Sequence, residues 1–169
     1  MKINRKVAIK NQLLETKTPI KAGTLAKQFV VSRQTIVGDI ALLRAQGEPI
    51  ISTSRGYEYA KNHRFEEMIV CRHFPDQAER EMELIVKEQV TIKDVMIDHP
   101  LYGQLVGQIR VQNSNDVKQF MQHVREAKGH LLSELTDGIH SHTLAADKME
   151  NIEKAKEQLK KVGILYKEG

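Results

Sequence analysis

Two histidines, His140 and His142, lie two residues apart in the stretch TDGIHSHTL, between apolar neighbours and directly after a glycine. In a β-strand, residues i and i+2 face the same side of the sheet, so a strand here would project both imidazoles together. Imidazole nitrogens are common ligands of nickel, zinc and iron(II). The spacing therefore fits part of a metal site, whose other ligands must come from elsewhere in the chain, but the same spacing also arises by chance.

The remaining ligand candidates precede this stretch. His73 follows the strand-like run MIVC, and Glu81 opens the stretch EMELIVKE. The alternation in that stretch predicts a strand from Glu81 to Lys87, with a short helix between it and His73, so that both side chains lie at neighbouring strand ends. Three imidazoles and one carboxylate suit nickel, zinc or iron(II) better than magnesium or calcium. Cys71 is an alternative thiolate ligand, ranked below Glu81 because a lone cysteine in an apolar strand is more often a core residue.

The first sixty residues predict three helices and a hairpin. Apolar spacing indicates a helix from Arg5 to Glu15, and KAGTLAKQFVVSRQTIVGDIALLRAQG then predicts two short helices, the second capped by Ser32 and stopped at Gly47. The segment PIISTSRGYEYA alternates and turns at Ser54-Arg55-Gly56, as a two-stranded wing would. Together these elements predict a winged helix-turn-helix, although three helices packed without nucleic acid fit the same pattern.

The exposed start of the second short helix carries side chains that read DNA. Arg33 and Gln34 pair with purine edges in the major groove, and Thr35 contacts a thymine methyl. The free N–H groups of a helix that begins at Ser32 attract a phosphate. Arg55 at the wing tip is expected to reach the DNA backbone or the minor groove. Double-stranded DNA is therefore the predicted partner of these five residues.

Charge divides the chain near residue 62. Residues 1–62 carry 11 Lys and Arg against 4 Asp and Glu, a net charge of +7, which leaves residues 63–169 with 15 against 18, a net charge of −3. A basic front joined to a slightly acidic back is typical of a nucleic-acid-binding module fused to a sensing or pairing module, and chance asymmetry in an ordinary protein is the alternative. We predict a DNA-binding domain at 1–62 and a metal- and effector-binding domain at 63–169.

The second module mixes strands and helices without repeated strand-helix-strand units, so the predicted class is α+β. Strands are predicted before His73, over TIKDVMID, over LVGQIRVQ and over the histidine pair, with helices at about 115–127, capped by Ser114, and at 148–162. The chain has one cysteine, no leader-like start and no apolar run long enough to span a membrane. We expect a cytoplasmic protein with no membrane partner.

Several of these stretches resemble known families. LAKQFVVSRQTIVGDIALLRAQG with ISTSRGY is similar to the winged helix-turn-helix of biotin-repressor relatives, and CRHFPDQAEREMELIV, DVMIDHPLYGQL and LLSELTDGIHSHTL resemble the three-histidine (3H) domain. The pair resembles the niacin-responsive transcriptional repressors of NAD biosynthesis and salvage genes. That resemblance implies a homodimer that binds its operator with nicotinic acid as corepressor. It also implies a divalent metal, nickel in a known member, held by His73, Glu81, His140 and His142.

An anionic pyridine carboxylate would be attracted by such a cation, because four protein ligands leave two positions open on an octahedral metal. His99, Tyr102 and Gly103 in HPLYG are candidates for the effector pocket, since the tyrosine ring packs on a pyridine and the glycine allows close approach. A turn with a packed tyrosine is the alternative interpretation of HPLYG.

Two other functions fit parts of the pattern. The metal itself could be the signal of a metal-responsive regulator. A metal-dependent hydrolase with a DNA-binding arm would need a general base such as Glu83, Asp98 or Asp137 beside the metal. The chain has no metallohydrolase motif, phosphate-binding glycine loop or nucleophile elbow, so we expect no enzyme.

Overall fold

A computed structural model of the protein describes residues 4–166, and the chain divides into two compact units, Met1–Asn62 and His63–Gly169. In the first unit, three helices precede a two-stranded antiparallel hairpin. The elements are α1 (Arg5–Glu15), α2 (Ala22–Phe29), α3 (Arg33–Ala45), β1 (Ile50–Thr53) and β2 (Gly56–Tyr59). The predicted helices and wing are therefore present.

Local signals set the boundaries of these helices. Asn4 caps α1 by accepting a hydrogen bond from the backbone of Lys6 at 3.1 Å. Ser32 caps α3 by accepting from the backbone of Thr35 at 3.1 Å, as predicted. The turn between α2 and α3 is made by Val30 in the left-handed region, with φ +54°, where a glycine is more usual. The three helices bury one continuous apolar core between them, made of Ile9, Leu13, Leu25, Ile36, Ile40 and Leu43.

The wing is joined to the connection between α1 and α2. Ile20 and Tyr57 exchange two backbone hydrogen bonds, of 2.9 and 2.8 Å. Gly56 has φ +127°, and a Cβ there would collide with the backbone of Ile20. Only glycine therefore lets the wing approach this connection so closely.

In the second unit, helices cover one face of a four-stranded antiparallel sheet with the order β3-β6-β4-β5. The strands are β3 (Phe65–Arg72), β4 (Thr91–His99), β5 (Gly103–Val111) and β6 (Ile139–Ala146). The helices are α4 (Ala78–Val86), α5 (Ser114–Glu126) and α6 (Met149–Lys161), with 3₁₀ turns at Pro75–Gln77 and Leu132–Thr136. Both units combine helices and antiparallel strands, so the α+β class is confirmed.

The predicted strand from Glu81 to Lys87 is wrong, because this segment lies in helix α4. Over seven residues an alternating pattern also contains i, i+4 pairs, and here Ala78, Met82 and Val86 form such a row on the buried side of the helix. Pro75 starts the preceding 3₁₀ turn, which leads the chain directly into α4. Glu81 therefore reaches the interior from a helix.

A smaller correction concerns the start of α5. The cap is Asn113, whose side chain accepts from the backbone of Asp116 at 2.9 Å, and Ser114 is the first helical residue. Among the helices of residues 4–166, none has the length and apolar character needed to cross a bilayer.

Replacing Gly56 with alanine should destabilise the protein by about 2–4 kcal/mol, since a Cβ adds both left-handed strain and a backbone collision. The matched control is Gly23→Ala in α2, where a Cβ meets no atom within 4 Å. That control should stabilise the protein by about 0.5–1 kcal/mol. Urea denaturation of the full chain measures both, and equal stability of the two variants would contradict the expected collision.

Candidate functional site

Strand β6 carries both members of the histidine pair into the interior, as the spacing predicted. His140 lies opposite Cys71 and His142 lies opposite Ile69 in the register between β6 and β3. The two histidines are 3% and 2% exposed. Their ring centroids are 4.7 Å apart with the ring planes nearly perpendicular. This close approach directs both rings toward one point.

That point is the carboxylate of Glu81, which is 1% exposed. Glu81 Oε1 lies 2.6 Å from His142 Nε2, and Glu81 Oε2 lies 3.0 Å from His140 Nε2. His73, just after β3, brings its Nε2 to 2.5 Å from Glu81 Oε2. The structure thus brings the four predicted metal ligands into one buried cluster, which we call the histidine cluster. Their role as ligands remains a prediction.

Backbone carbonyls orient each imidazole from its other side. His73 Nδ1 lies 2.8 Å from the carbonyl oxygen of Phe74, His140 Nδ1 lies 2.9 Å from that of Gly138, and His142 Nδ1 lies 2.7 Å from that of Asp94. A carbonyl oxygen only accepts, so each Nδ1 carries the proton and donates. In the neutral rings, all three Nε2 lone pairs then face the carboxylate.

This donor set fits a divalent transition metal. Although His73 Nε2 is close to Glu81, it is buried and forms no hydrogen bond with any of residues 4–166. Three neutral Nε2 atoms and a carboxylate are all electron-pair donors, and they repel one another unless protons or a cation lie between them. Nitrogen and oxygen ligands of this kind, with Nδ1 fixed by carbonyls, are typical of nickel, zinc and iron sites.

The carboxylate and the imidazoles of the cluster stabilise each other's charged forms. Burial acts to raise the pKa of the Glu81 carboxyl, but His142, His140 and His73 outweigh it and hold that pKa well below its usual value. Burial acts to lower the pKa values of His73 and His142, but Glu81 outweighs it and raises both. The carboxylate is therefore available as an anionic ligand, and a bound metal would displace protons from the rings.

Cys71 lies beside the cluster and remains the alternative ligand. It is fully buried, and its sulfur and ligand atoms of Glu81 and His140 lie within 4.8 Å of one another. Burial, and then the nearby Glu81, raises the pKa of the Cys71 thiol. The thiol is therefore protonated in this apolar environment, and only a metal at this point would favour the thiolate.

The sequence analysis did not predict two backbone features that position the rings. Gly138, with φ +88°, accepts from His140 Nδ1 and from the backbone N–H of His73 at 3.2 Å, and a Cβ on it would collide with His73. Asp94 lies at an irregularity of β4, where its carbonyl accepts from His142 and its Oδ1 accepts from the Thr143 N–H at 2.8 Å. The Asp-Gly pair before the histidines was a usable signal for the first feature, since such pairs mark tight turns.

A small cavity of about 30 Å³ borders the histidine cluster. This volume holds about one water molecule, whereas small-ligand pockets begin at about 300 Å³, so a larger ligand would enter only if the cavity walls moved apart. Apart from the four cluster residues, its walls are formed by Ala78, Met82, Val95, Ile109, Phe120, Leu131, Leu132 and Ser133. The cavity is therefore apolar except at the cluster and at Ser133.

The predicted effector residues lie elsewhere, at the tip of the hairpin between β4 and β5. Tyr102 is 70% exposed, and its ring stacks at a tilt against His99 with centroids 5.2 Å apart. His99 Nδ1 accepts from the backbone N–H groups of Leu101 and Tyr102, and Gly103 closes the turn with φ +72°. None of the three predicted residues lines the cavity beside the cluster.

The candidate general bases of a hydrolase also lie outside this cavity. Glu83 accepts a hydrogen bond from the hydroxyl of Ser114 at 2.7 Å. Asp98 lies on β4 near the hairpin tip, and Asp137 forms the left-handed residue of the turn before Gly138. Asp98 instead lines, together with His140, a separate cleft of about 280 Å³, which contains neither Glu83 nor Asp137.

The start of α3 has the form of a recognition helix. Arg33 and Gln34 are exposed. The hydroxyls of Ser32 and Thr35 are 2.8 Å apart, and Thr35 is half-buried, so both are occupied in capping the helix. Arg55 lies in the turn between the two wing strands. Base reading is therefore expected chiefly from Arg33 and Gln34.

Replacing Gly138 with alanine should lower metal affinity by about 10- to 100-fold, because the added Cβ displaces the carbonyl that orients His140. The matched control is Gly163→Ala, where φ is +75° but a Cβ meets no atom within 4 Å. Competition of purified protein against a chelator for nickel or zinc measures both affinities. An unchanged affinity in Gly138→Ala would show that this carbonyl does not position the ring.

Comparison with known proteins agrees with these two units. Residues 5–58 match a helix-turn-helix (HTH) domain family and residues 66–168 match the 3H domain family. The chain is 44% identical to the transcription repressor NadR of Bacillus subtilis, over 99% of this chain and 96% of that protein. It is 36% identical to the probable transcription repressor NiaR of Thermotoga maritima, over 100% of this chain and 99% of that one. The chain therefore belongs to the family of NAD-biosynthesis transcription repressors, in which a DNA-binding helix-turn-helix precedes a 3H domain.

Proposed function

We propose that this repressor binds the operators of NAD biosynthesis and niacin salvage genes when its second unit holds a divalent metal and nicotinic acid, the corepressor. The observation that carries the proposal is the histidine cluster, whose three Nε2 atoms and one carboxylate converge beside an apolar cavity. A buried set of electron-pair donors at the end of an apolar cavity suits a cation that attracts a small aromatic acid.

His73, Glu81, His140 and His142 are the proposed ligands, with nickel the first candidate and zinc or iron the others. Bound there, the metal would keep a net positive charge, because one carboxylate offsets only half of a divalent charge. With four protein ligands, an octahedral metal would also keep two open coordination positions. The three carbonyls behind the rings hold each Nε2 ready for ligation. Cys71 would replace one of these ligands only for a metal that prefers a thiolate.

The cavity beside the cluster is the proposed effector site, in place of the hairpin residues His99, Tyr102 and Gly103. Phe120, Val95 and Ile109 would offer apolar walls for a pyridine ring once they moved apart to enlarge the cavity, and the cluster lies beside them for its carboxylate. The exposed hairpin residues have apolar contact area but no buried site around them. Their part in effector binding stays a separate prediction.

Regulation requires that the effector bind differently to two arrangements of the protein. We propose a homodimer in which nicotinate favours the arrangement that presents two α3 helices to successive major grooves, about 34 Å apart on a pseudo-palindromic operator. Arg33 and Gln34 would read bases, the start of α3 at Ser32 and Thr35 would meet phosphate, and Arg55 would contact the backbone or minor groove. Such a protein is not an enzyme and acts in the cytoplasm, where the operator is.

Operator affinity should rise only when metal and nicotinate are both present, by about 5- to 150-fold for typical coupling energies. Fluorescence anisotropy with operator DNA, over the four combinations of nickel and nicotinate, measures it. His140→Ala should abolish the response because the cluster loses a ring. His123→Ala, an exposed histidine on α5, should leave the response unchanged.

Two outcomes of this titration would change the proposal. A full response to metal without nicotinate would identify a metal-responsive regulator, which the complete burial of the cluster also suits. Equal operator affinity in all four combinations would refute effector control. Release of product from candidate nuclease or amide substrates would instead favour the hydrolase.

Gln34→Ala should reduce discrimination at one base pair of each half-site by about 1–3 kcal/mol, because the exposed amide is placed to pair with a purine edge. The control is Gln46→Ala, the same substitution at the exposed C-terminal cap of α3. Binding to a panel of operators that differ at single positions measures the discrimination. Equal weakening of binding to every operator in the panel would show that Gln34 contacts the DNA backbone and not a base.

A further inference from the structure

Arg44, in the last turn of α3, contacts both strands of the wing. Its Nε donates to the carbonyl oxygen of Ile50 at 2.7 Å, and its Nη2 donates to the hydroxyl of Ser52 at 2.5 Å, both on β1. Its guanidinium carbon lies 5.8 Å from the ring centroid of Tyr57 on β2. Since Ser52 and Tyr57 are partners in the hairpin, one planar guanidinium joins α3 to both strands at the same level.

The simplest role for this residue is that of a cation at the end of a helix. A positive charge in the last turn is favourable because the C-terminal carbonyls carry a partial negative charge, and a lysine would serve equally well. The contacts of Arg44 require more than a charge. They use two N–H donors held in one plane and the flat face of the guanidinium, neither of which lysine has.

The contacts of Arg44 lie close to the tip of the wing. Thr53 pairs with Gly56, and Arg55 lies in the turn between them. Arg44 contacts the strand pair directly before this one, so its contacts are about 7 Å from the tip, the length of two strand residues. A two-stranded hairpin has little stability of its own, and its orientation therefore depends on contacts with the helices.

We infer that Arg44 is a positioning residue for DNA binding, which holds the wing so that Arg55 and the start of α3 contact the DNA together. This inference rests on the proposed function, in which Arg55 contacts the DNA backbone or the minor groove. Arg44 lies about 15 Å along α3 from Gln34, so its side chain is distant from the base-reading end of the helix. Its effect on DNA binding therefore passes through the wing.

The test is a double-mutant cycle on Arg44→Lys, Arg55→Ala and their combination, in the full chain with saturating nickel and nicotinate. The probe is a DNA duplex that the wild type selects from a random-sequence pool, and fluorescence anisotropy measures the affinity. Arg44→Lys keeps the charge but should weaken binding about tenfold, the worth of one hydrogen bond to a charged group. Arg55→Ala should weaken binding by a similar factor, and the combined variant should bind no more weakly than Arg55→Ala alone.

The salt dependence of binding separates this role from a structural one. Loss of one phosphate contact lowers the slope of log affinity against log salt concentration by about one, so Arg44→Lys should change the slope as Arg55→Ala does, although it removes no charge. A chain that is only less stable would keep the wild-type slope. Ser52→Ala, which removes one acceptor at an exposed position of the wing, should weaken binding in the wild type but not in Arg44→Lys. The matched control Arg125→Lys, at an exposed position of α5, should leave affinity and slope unchanged.

The other outcomes separate the inference from the proposed function. Wild-type affinity in Arg44→Lys would overturn only the role of Arg44. So would losses that multiply in the combined variant, because they would show that Arg44 acts independently of the wing tip. Unchanged affinity in Arg55→Ala would overturn both the proposed wing contact and the inference. Failure of the wild type to select any sequence would overturn the proposed operator binding and the inference with it.

Discussion

One buried carboxylate organises the second unit. Glu81 is 1% exposed, and an isolated ionised carboxylate at such a position is strongly unfavourable. It is tolerated because three imidazoles approach it within 3.0 Å, from β6 and from the segment after β3. Helix α4 must therefore pack on the sheet in the rotation and register that bring Glu81 to the rings. The same contacts that make the helix position favourable also assemble the four residues of the histidine cluster.

The irregular parts of the backbone in this unit lie where the rings are oriented. Gly138 in its left-handed conformation and the irregular pairing at Asp94 each supply a carbonyl to one ring, and Phe74 supplies the third. Regular strands exchange their carbonyls with neighbouring strands, so turns and bulges more readily leave a carbonyl for a side chain. The 3₁₀ turn bonded to Gly138 also forms one wall of the cavity, which links this cavity to the ring positions through a few hydrogen bonds.

In the first unit, unlike the second, the core and the DNA-reading surface are made of separate residues. Its apolar side chains hold three short helices together, while the exposed start of α3 and the net charge of +7 remain available to DNA. Ser32 serves the helix by capping it, and this fixes the residues that follow it, Arg33 and Gln34, on the exposed first turn. Membership of a repressor family fits this assignment of DNA binding to the first unit.

The sequence by itself determined whatever depends on near neighbours along the chain. Apolar spacing, the Ser32 cap and the Gly47 stop specified the helix-turn-helix, and the H-x-H spacing on a strand placed His140 and His142 on one face, because these signals act within a few residues. Only the tertiary structure decided that Glu81 lies on a helix, since over seven residues the strand and helix patterns coincide and the apolar face of the sheet selects between them. The carbonyl of Asp94 orients the ring of His142 from 48 residues away, and Glu81 meets His142 across 61 residues. No local pattern encodes such a contact, because it exists only once the distant segments have packed.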